Sequence, residues 1–273
     1  MKYKEFELIL SSFKCNKNCP YCTAKITKWP NVDDKIDKFE EKLQYLKEKN
    51  ISFRYFIFCG NGEPSLHSFE TINKIVQATR KINIFDEKRF QSSGNIFFEP
   101  EKLNLIKDDF TVEITRVDFD SPKDMKVLGY KQDYINSPLF SQANVRLNYV
   151  MMKNKSFDEY LVEIKKYIDT YPNIKTVSLK TLNLNTLNGK IDNPHSKWIM
   201  ENALTKDDAK NVIDFMSKHA NVTHQDDKFF DRIEWNYKGV PITFYIKKLS
   251  YGLSNIVCYG GELVDYHLNK LDI

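Results

Sequence analysis

The sequence predicts an α/β fold: a mainly parallel sheet with helices outside it, curled into a barrel or part of one, followed by a small antiparallel β extension. Three observations predict it. Apolar strand patterns and amphipathic helix patterns alternate through six successive units. Parallel strands joined through helices take right-handed crossovers, which curl a sheet round on itself. From Arg232 onward the pattern changes to pairs of short strands about Gly turns. The expected division is residues 1–220 as the core and 221–273 as a β extension closing the barrel.

The elements follow in order. Phe6–Phe13 reads as the first strand, with Phe6, Leu8, Ile9 and Leu10 apolar, and a cysteine-bearing loop follows. Ile36–Lys49 has helical spacing at Phe39, Leu43 and Leu46. Ser52–Cys59 is the second strand, stopped by Gly60-Asn61-Gly62-Glu63-Pro64, and Phe69–Ile82 the next helix. Arg89–Ser93 is a short strand closed by Gly94, and Pro100–Lys107 a short helix with Pro at an early position. Thr111–Val117 alternates as a strand, and Ser121 is placed to cap a helical segment before Pro122. Val145–Met152 is the fifth strand, with a helix capped by Ser156 running to about Ile168. Val177–Leu182 is the sixth strand, and Thr205 opens a helix to about His219. The Asn-rich stretch from Leu182 to Leu204 reads as a long loop. Two hairpins are expected at the end: Ile233–Tyr237 with Val240–Tyr245 about Lys238-Gly239, and Asn255–Tyr259 with Leu263–Tyr266 about Gly260-Gly261.

Composition narrows the function classes. The 273 residues suffice for one large domain or one domain with an appendage, and the 41% hydrophobic and 29% charged content is that of a globular protein. A net charge of +4, with acids and bases interleaved as in Glu40-Glu41-Lys42, describes solvated helix faces and does not point to nucleic acid. No apolar run reaches the roughly 18 residues of a membrane span. The N-terminal residues lack a secretory pattern, so a cytoplasmic protein is the default expectation.

Of five cysteines, three lie within Cys15-Asn16-Lys17-Asn18-Cys19-Pro20-Tyr21-Cys22. An odd total with three so close fits thiolates on metal in a reducing compartment better than disulfides. Three thiolates on a short loop can wrap three corners of an iron–sulfur cube, which leaves the fourth iron open to a non-protein ligand. Pro20 and the polar residues keep the segment from becoming helical. A structural zinc site asks for four protein ligands, and no second C-x2-C is present; His67 is the only His moderately near. Cys59 and Cys258 stand alone and read as small buried hydrophobes, too few for a second cluster.

The C-x3-C-x2-C spacing, with Tyr21 before the third Cys and a strand just before the loop, resembles the signature of the radical S-adenosylmethionine (SAM) superfamily. The resemblance implies a partial (β/α)6 TIM-like barrel over roughly residues 5–220. It implies one [4Fe–4S] cluster on Cys15, Cys19 and Cys22, with SAM on the open iron. It further implies reductive cleavage of SAM to a 5′-deoxyadenosyl radical that takes a hydrogen from substrate, and an electron donor such as flavodoxin or ferredoxin. Gly60-Asn61-Gly62-Glu63-Pro64 resembles the family's G-G-E motif, with Asn61 inserted, which implies that Gly60, Gly62 and Glu63 contact the SAM amino group. Ser93 and Asn95 stand where the family has residues near the SAM ribose and carboxylate. Arg116 ends the fourth strand, where the family often has a polar or basic residue in contact with SAM; the run from Thr115 through Leu128-Gly129-Tyr130, and Asn148 on the fifth strand, resemble the molybdopterin-precursor cyclase branch. Each of these four residues also has an ordinary role open to it: turn hydrogen bonding for Ser93 and Asn95, a surface pair with Asp118 for Arg116, and a strand-end bond for Asn148.

Three functions remain open from the sequence. The first is radical chemistry on a small polar or anionic substrate, with nucleotide-like molecules among the options. The second is the same chemistry on a ribosomally made peptide. The third is a non-enzymatic iron–sulfur sensor or electron carrier, which would ordinarily close its cluster with a fourth protein ligand. Substrate contacts are expected from Lys180, from the Asn183–Lys197 loop, and from Trp235, Tyr237 and Tyr259 if these aromatics are not core.

Overall fold

The computed structural model describes residues 2–11, 14–27, 29–116, 133–182, 193–219, 223–226, 230–247, 255–265 and 268–271. Its strands are β1 Lys2–Leu10, β2 Ser52–Gly60, β3 Phe85–Ser92, β4 Phe110–Arg116, β5 Val145–Val150, β6 Ile174–Lys180, β7 Thr223–Asp226, β8 Phe230–Tyr237, β9 Val240–Lys247, β10 Asn255–Tyr259 and β11 Glu262–Val264. The helices are α1 Thr23–Thr27, α2 Asp37–Glu48, α3 Phe69–Lys81, α4 Pro100–Ile106, α5 Phe157–Thr170, α6 Pro194–Asn202 and α7 Lys206–His219. All strands form one sheet in the order β11-β10-β1-β2-β3-β4-β5-β6-β9-β8-β7. The six strands β1 to β6 pair in parallel in sequence order, the mark of successive βα units.

The helices form where caps and apolar spacing agree. Ser68 accepts from the Thr71 N–H at α3, and Ser156 and Glu159 form a reciprocal capping box at α5. Leu43 and Leu46 of α2, Ile72, Ile75 and Val76 of α3, and Leu103 and Ile106 of α4 are all buried against the sheet. The facing strand residues are largely aromatic. Phe6 and Phe56 stack at 6.1 Å between ring centroids, and Phe56 meets Phe85 at 5.0 Å. Burying each such side chain contributes about 1.5–3 kcal/mol, so this layer dominates stability.

Strand residues alternate between that helix-covered face and an inner face. The inner face has two unlike halves. Over β10, β1 and β2 it is apolar, with Ile9, Tyr55, Ile57, Cys59, Val257 and Tyr259. Beyond β3 it is polar. Thr115, Asn148, Ser178 and Thr243 sit side by side in register across β4, β5, β6 and β9. Glu113 and Arg146 form the adjacent row, and Lys180 ends β6.

Four differences from the sequence reading have physical causes. β3 starts at Phe85, earlier than Arg89, because charged residues such as Glu87 occupy its inner face and hide the apolar alternation. The stretch Leu182–Leu204 contains α6: Asn193 caps it by accepting from the Ser196 N–H, and Pro194 takes the first turn. Both hairpins are present, with positive φ at Lys238, Gly239, Gly260 and Gly261, and among the described residues each adds to an edge of the sheet. One hairpin adds to the β6 edge through β9 and the other to the β1 edge through β10, both in parallel, so β11 and β7 are the end strands. β7, absent from the sequence reading, pairs antiparallel with β8. The helical segment expected from Ser121 lies outside the described residues.

Candidate cofactor site

The loops after β1, β2 and β3 meet at the C-terminal edge of the parallel strands. Cys15, Cys19 and Cys22 lie on the first loop, half-buried and outside any disulfide. The Cys22 N–H donates to the Cys19 carbonyl at 3.2 Å, turning the chain into α1. The Lys17 N–H points at Cys15 Sγ at 3.4 Å. Burial pushes the Cys15 thiol up, the Lys17 N–H opposes that, and Glu63 and Cys22 add to it. The other two cysteines differ: burial pushes Cys258 up to about 12 and Cys59 well above its ordinary value, which suits inert core thiols.

The second loop is tied onto the first. Asn61 N–H donates to the Leu10 carbonyl at 2.8 Å, and Glu63 N–H donates to the Lys14 carbonyl at 2.7 Å. Gly62 is required by this approach, because a Cβ there would stand 2.4 Å from Lys14 O. Gly60 has only ordinary contacts, the nearest at 3.6 Å, so its neighbours in the protein would admit a Cβ. The Glu63 side chain is buried. It accepts from Ser65 N–H at 3.2 Å, Ser65 Oγ at 2.7 Å, Ser92 Oγ at 2.8 Å and Ser93 N–H at 2.5 Å. The carboxylate thus fastens the loop after β2 to the loop after β3.

The third loop completes the circuit. Asn95 Nδ2 donates to Asn16 Oδ1 at 3.0 Å, inside the cysteine segment. Gly94 has φ +104°, and a Cβ there would fall 2.2 Å from the Tyr134 ring. Cys15, Cys19, Cys22, Gly60, Gly62, Glu63, Ser93 and Asn95 are therefore brought together by direct contacts between three loops.

Tyr21 and Asn148 join this group from the side. Tyr21 is buried, its hydroxyl donates to the Thr115 carbonyl at 3.3 Å, and its ring packs against Trp198 of α6 at 6.1 Å. Asn148 Nδ2 donates to Glu113 Oε1 and, at 3.3 Å, to Thr115 Oγ1, while its Oδ1 accepts from Arg146 Nε at 3.2 Å. Arg116 departs from expectation. It shares the helix-facing side of β4 with Val112 and Ile114, is fully buried, and lies 5.7 Å from the Tyr134 ring centroid. Strand alternation places it opposite the face that carries Asn148, away from the side on which the SAM contact is expected.

Sequence reading named Lys180 but missed the charged cluster around it on the inner face. Glu113 pairs with Lys180 at 3.1 Å, with Arg146 and Arg89 nearby, and these three cations hold its carboxyl well below the usual carboxylate range against the opposing cost of burial. Arg89 pairs with Glu87 at 2.8 Å and lies over the Tyr55 ring at 3.8 Å. The available signal was a charged residue set between buried apolar ones, as Glu113 is between Val112 and Ile114, on a parallel strand covered on both faces. Among the aromatics of the extension, Trp235 and Tyr237 pack against one another at 5.9 Å near Lys165 of α5. Tyr259 packs on Trp29 at 5.1 Å and donates to the Pro30 carbonyl. His195 Nδ1 lies 3.0 Å from the Pro20 carbonyl, so α6 touches the cysteine loop. His195 also lines a cavity with Lys25, Trp29 and Asn61.

The donor set fits an iron–sulfur cube. Three half-buried cysteines on one loop, outside any disulfide, are the donor chemistry that such a cube takes.

Residues 8–123 match the family model for a 4Fe-4S single cluster domain. The structure is similar to native anSMEcpe with bound AdoMet and the Cp18Cys peptide, with a TM-score of 0.53 and 20% identity, covering 79% of this chain and 60% of that one. Native anSMEcpe with bound AdoMet gives a TM-score of 0.51 at 20% identity, covering 78% and 60%. A curated relative, glutamate–tRNA ligase of Mycoplasma capricolum subsp. capricolum, is 26% identical over 195 residues, 67% of this chain and 37% of that protein. The chain thus spans 37% of the curated relative and 60% of the solved anSMEcpe chain.

The comparisons thus show an α/β fold shared with these AdoMet-bound structures and a 4Fe-4S single cluster domain match over the segment that carries the cysteine triad. The 4Fe-4S match spans Cys15, Cys19 and Cys22, and AdoMet is bound in the similar anSMEcpe structures. No described helix is long and apolar enough to cross a membrane.

Proposed function

We propose that the chain is a radical SAM enzyme acting on a small polar substrate. The observation that carries this reading is the knot of three loops, in which Glu63 N–H reaches Lys14 and Asn95 reaches Asn16, around a cysteine triad with three thiolates. Cys15, Cys19 and Cys22 would hold the cluster. The Gly60–Glu63 backbone, Ser93, Asn95 and Asn148 would line the SAM side, with Tyr21 bracing the cysteine loop. When bound, cluster and SAM supply a 5′-deoxyadenosyl radical that abstracts a hydrogen from substrate. The chain's own part is positioning and exclusion of water: α6 covers the cysteine loop through Trp198 and His195, and the inner face presents one apolar and one polar half. A flavodoxin or ferredoxin would supply the electron.

A second reading, modification of a peptide, is favoured by one observation: the similar anSMEcpe structure holds a peptide. An open-edged sheet that ends in β11 and β7 is compatible with it. Anaerobic reconstitution followed by dithionite and SAM tests the enzyme reading, with 5′-deoxyadenosine as the expected product. A protein loaded with its cluster that makes none overturns it, and leaves an iron–sulfur sensor or carrier.

A further inference from the structure

We propose that the polar wall of β4, β5, β6 and β9 is the substrate-binding face, and that Lys180 on it anchors a carboxylate of the substrate. The proposal deepens the enzyme reading and rests on it in one respect, that substrate enters from the edge where the cysteine loop lies.

Lys180 is the last residue of β6, at that edge. Its Nζ lies 3.1 Å from Glu113 Oε1; the Lys180 side chain is 39% exposed and that of Glu113 only 2%. An ammonium has three N–H donors, so a contact to Glu113 leaves it able to serve a ligand from the open side. Glu113 is held in turn by Asn148, which bonds Thr115, whose carbonyl accepts from Tyr21 of the cysteine loop. The ammonium is therefore placed by a buried chain of contacts that begins at the cluster loop. The neighbouring cations are engaged deeper in: Arg89 with Glu87 and the Tyr55 ring, Arg146 with Asn148.

Two further atoms on this wall point to a polar occupant. Glu113 Oε2 and Ser178 Oγ are buried and have no hydrogen-bond partner among the described residues. Buried polar atoms are ordinarily satisfied, and a ligand with N–H or O–H groups beside its carboxylate would satisfy them. Charge selects the carboxylate over a phosphate. One ammonium already shared with Glu113 suits a monoanion, because the repulsion from the Glu113 carboxylate that any anion meets here is about twice as large for a dianion.

The carboxylate belongs either to a free small acid or to an acidic peptide side chain, and the test separates them. Cluster-loaded, SAM-bound protein is titrated by calorimetry with N-acetylglycine, with a blocked peptide carrying one Asp, and with inorganic phosphate. Binding of at least one carboxylate probe is expected, the tighter of the two naming the source. Lys180→Met should weaken it at least about tenfold, and Lys180→Arg should restore it to within about threefold, since charge and reach return. Failure of both carboxylates to bind the wild type, equal binding by Lys180→Met, or tighter binding of phosphate would overturn the anchor. Production of 5′-deoxyadenosine, measured on the same samples, judges the enzyme reading separately, because the titrations need no turnover.

Discussion

The Glu63 N–H donates to the Lys14 carbonyl at 2.7 Å, one residue before Cys15, and so welds the loop after the second strand onto the loop that carries the thiolates. The neighbouring Gly62 packs so close that a Cβ would sit 2.4 Å from the same carbonyl oxygen. The two loops form one object, and disturbing either moves the cysteines.

Gly62→Ala should therefore lose cluster occupancy and lower stability by about 1–3 kcal/mol, the usual cost of overpacking. Gly60→Ala, with its nearest contact at 3.6 Å, should fold as the parent does. Iron and sulfide analysis beside urea denaturation checks both; equal iron content in Gly62→Ala and the parent would contradict the close approach.

Cys19→Ala should remove most of the cluster absorption, whereas Cys59→Ala, at a buried site, should leave it intact. Anaerobic reconstitution and visible spectroscopy make the comparison. A Cys19→Ala protein that keeps about four irons per chain would refute the ligand assignment.

Glu63→Gln turns an acceptor of two Ser hydroxyls and two backbone N–H groups into a half-donor. Leaving buried donors unmatched should cost about 1–3 kcal/mol. The loops after β2 and β3 should show the loss first, as faster amide exchange at Ser65 and Ser93. Unchanged exchange at both amides would mean the carboxylate is not the fastener.

Glu113 should set part of the acid limb of stability. Its folded pKa lies below the unfolded value of about 4.5. The unfolded chain thus binds the extra proton first as pH falls, and the contribution is complete above that value and is lost progressively below it. Denaturation midpoints from about pH 6 to pH 3 should fall more steeply for the parent than for Glu113→Gln. Parallel slopes would show that the buried carboxylate is not depressed.

Arg116→Met should leave SAM affinity unchanged, because Arg116 lies on the helix side of β4 with Tyr134. Asn148→Ala, on the inner face, should weaken SAM binding. A calorimetric titration in which Arg116→Met weakens SAM and Asn148→Ala does not would reverse the placement of the two residues.

How much was legible in the sequence follows from the range of each signal. The cysteine triad is local: its spacing is written within eight residues, and thiolates have little else to do in that pattern. The strand and helix alternation is also local, since burial repeats every two or every 3.6 residues. These determined the fold class, the cysteine loop and the position of the Gly60–Pro64 loop. Facing is different. Whether Arg116 looks toward the helices or toward Asn148 depends on strand phase and on which side the helices pack, and a charged residue in an apolar strand hides that phase. Tertiary structure alone brought Asn95 to Asn16, Tyr21 to Thr115 and Lys180 to Glu113, pairs separated by 79, 94 and 67 residues. It alone placed the two C-terminal hairpins on opposite edges of the sheet, because a free strand edge carries no sequence address beyond its unpaired backbone groups.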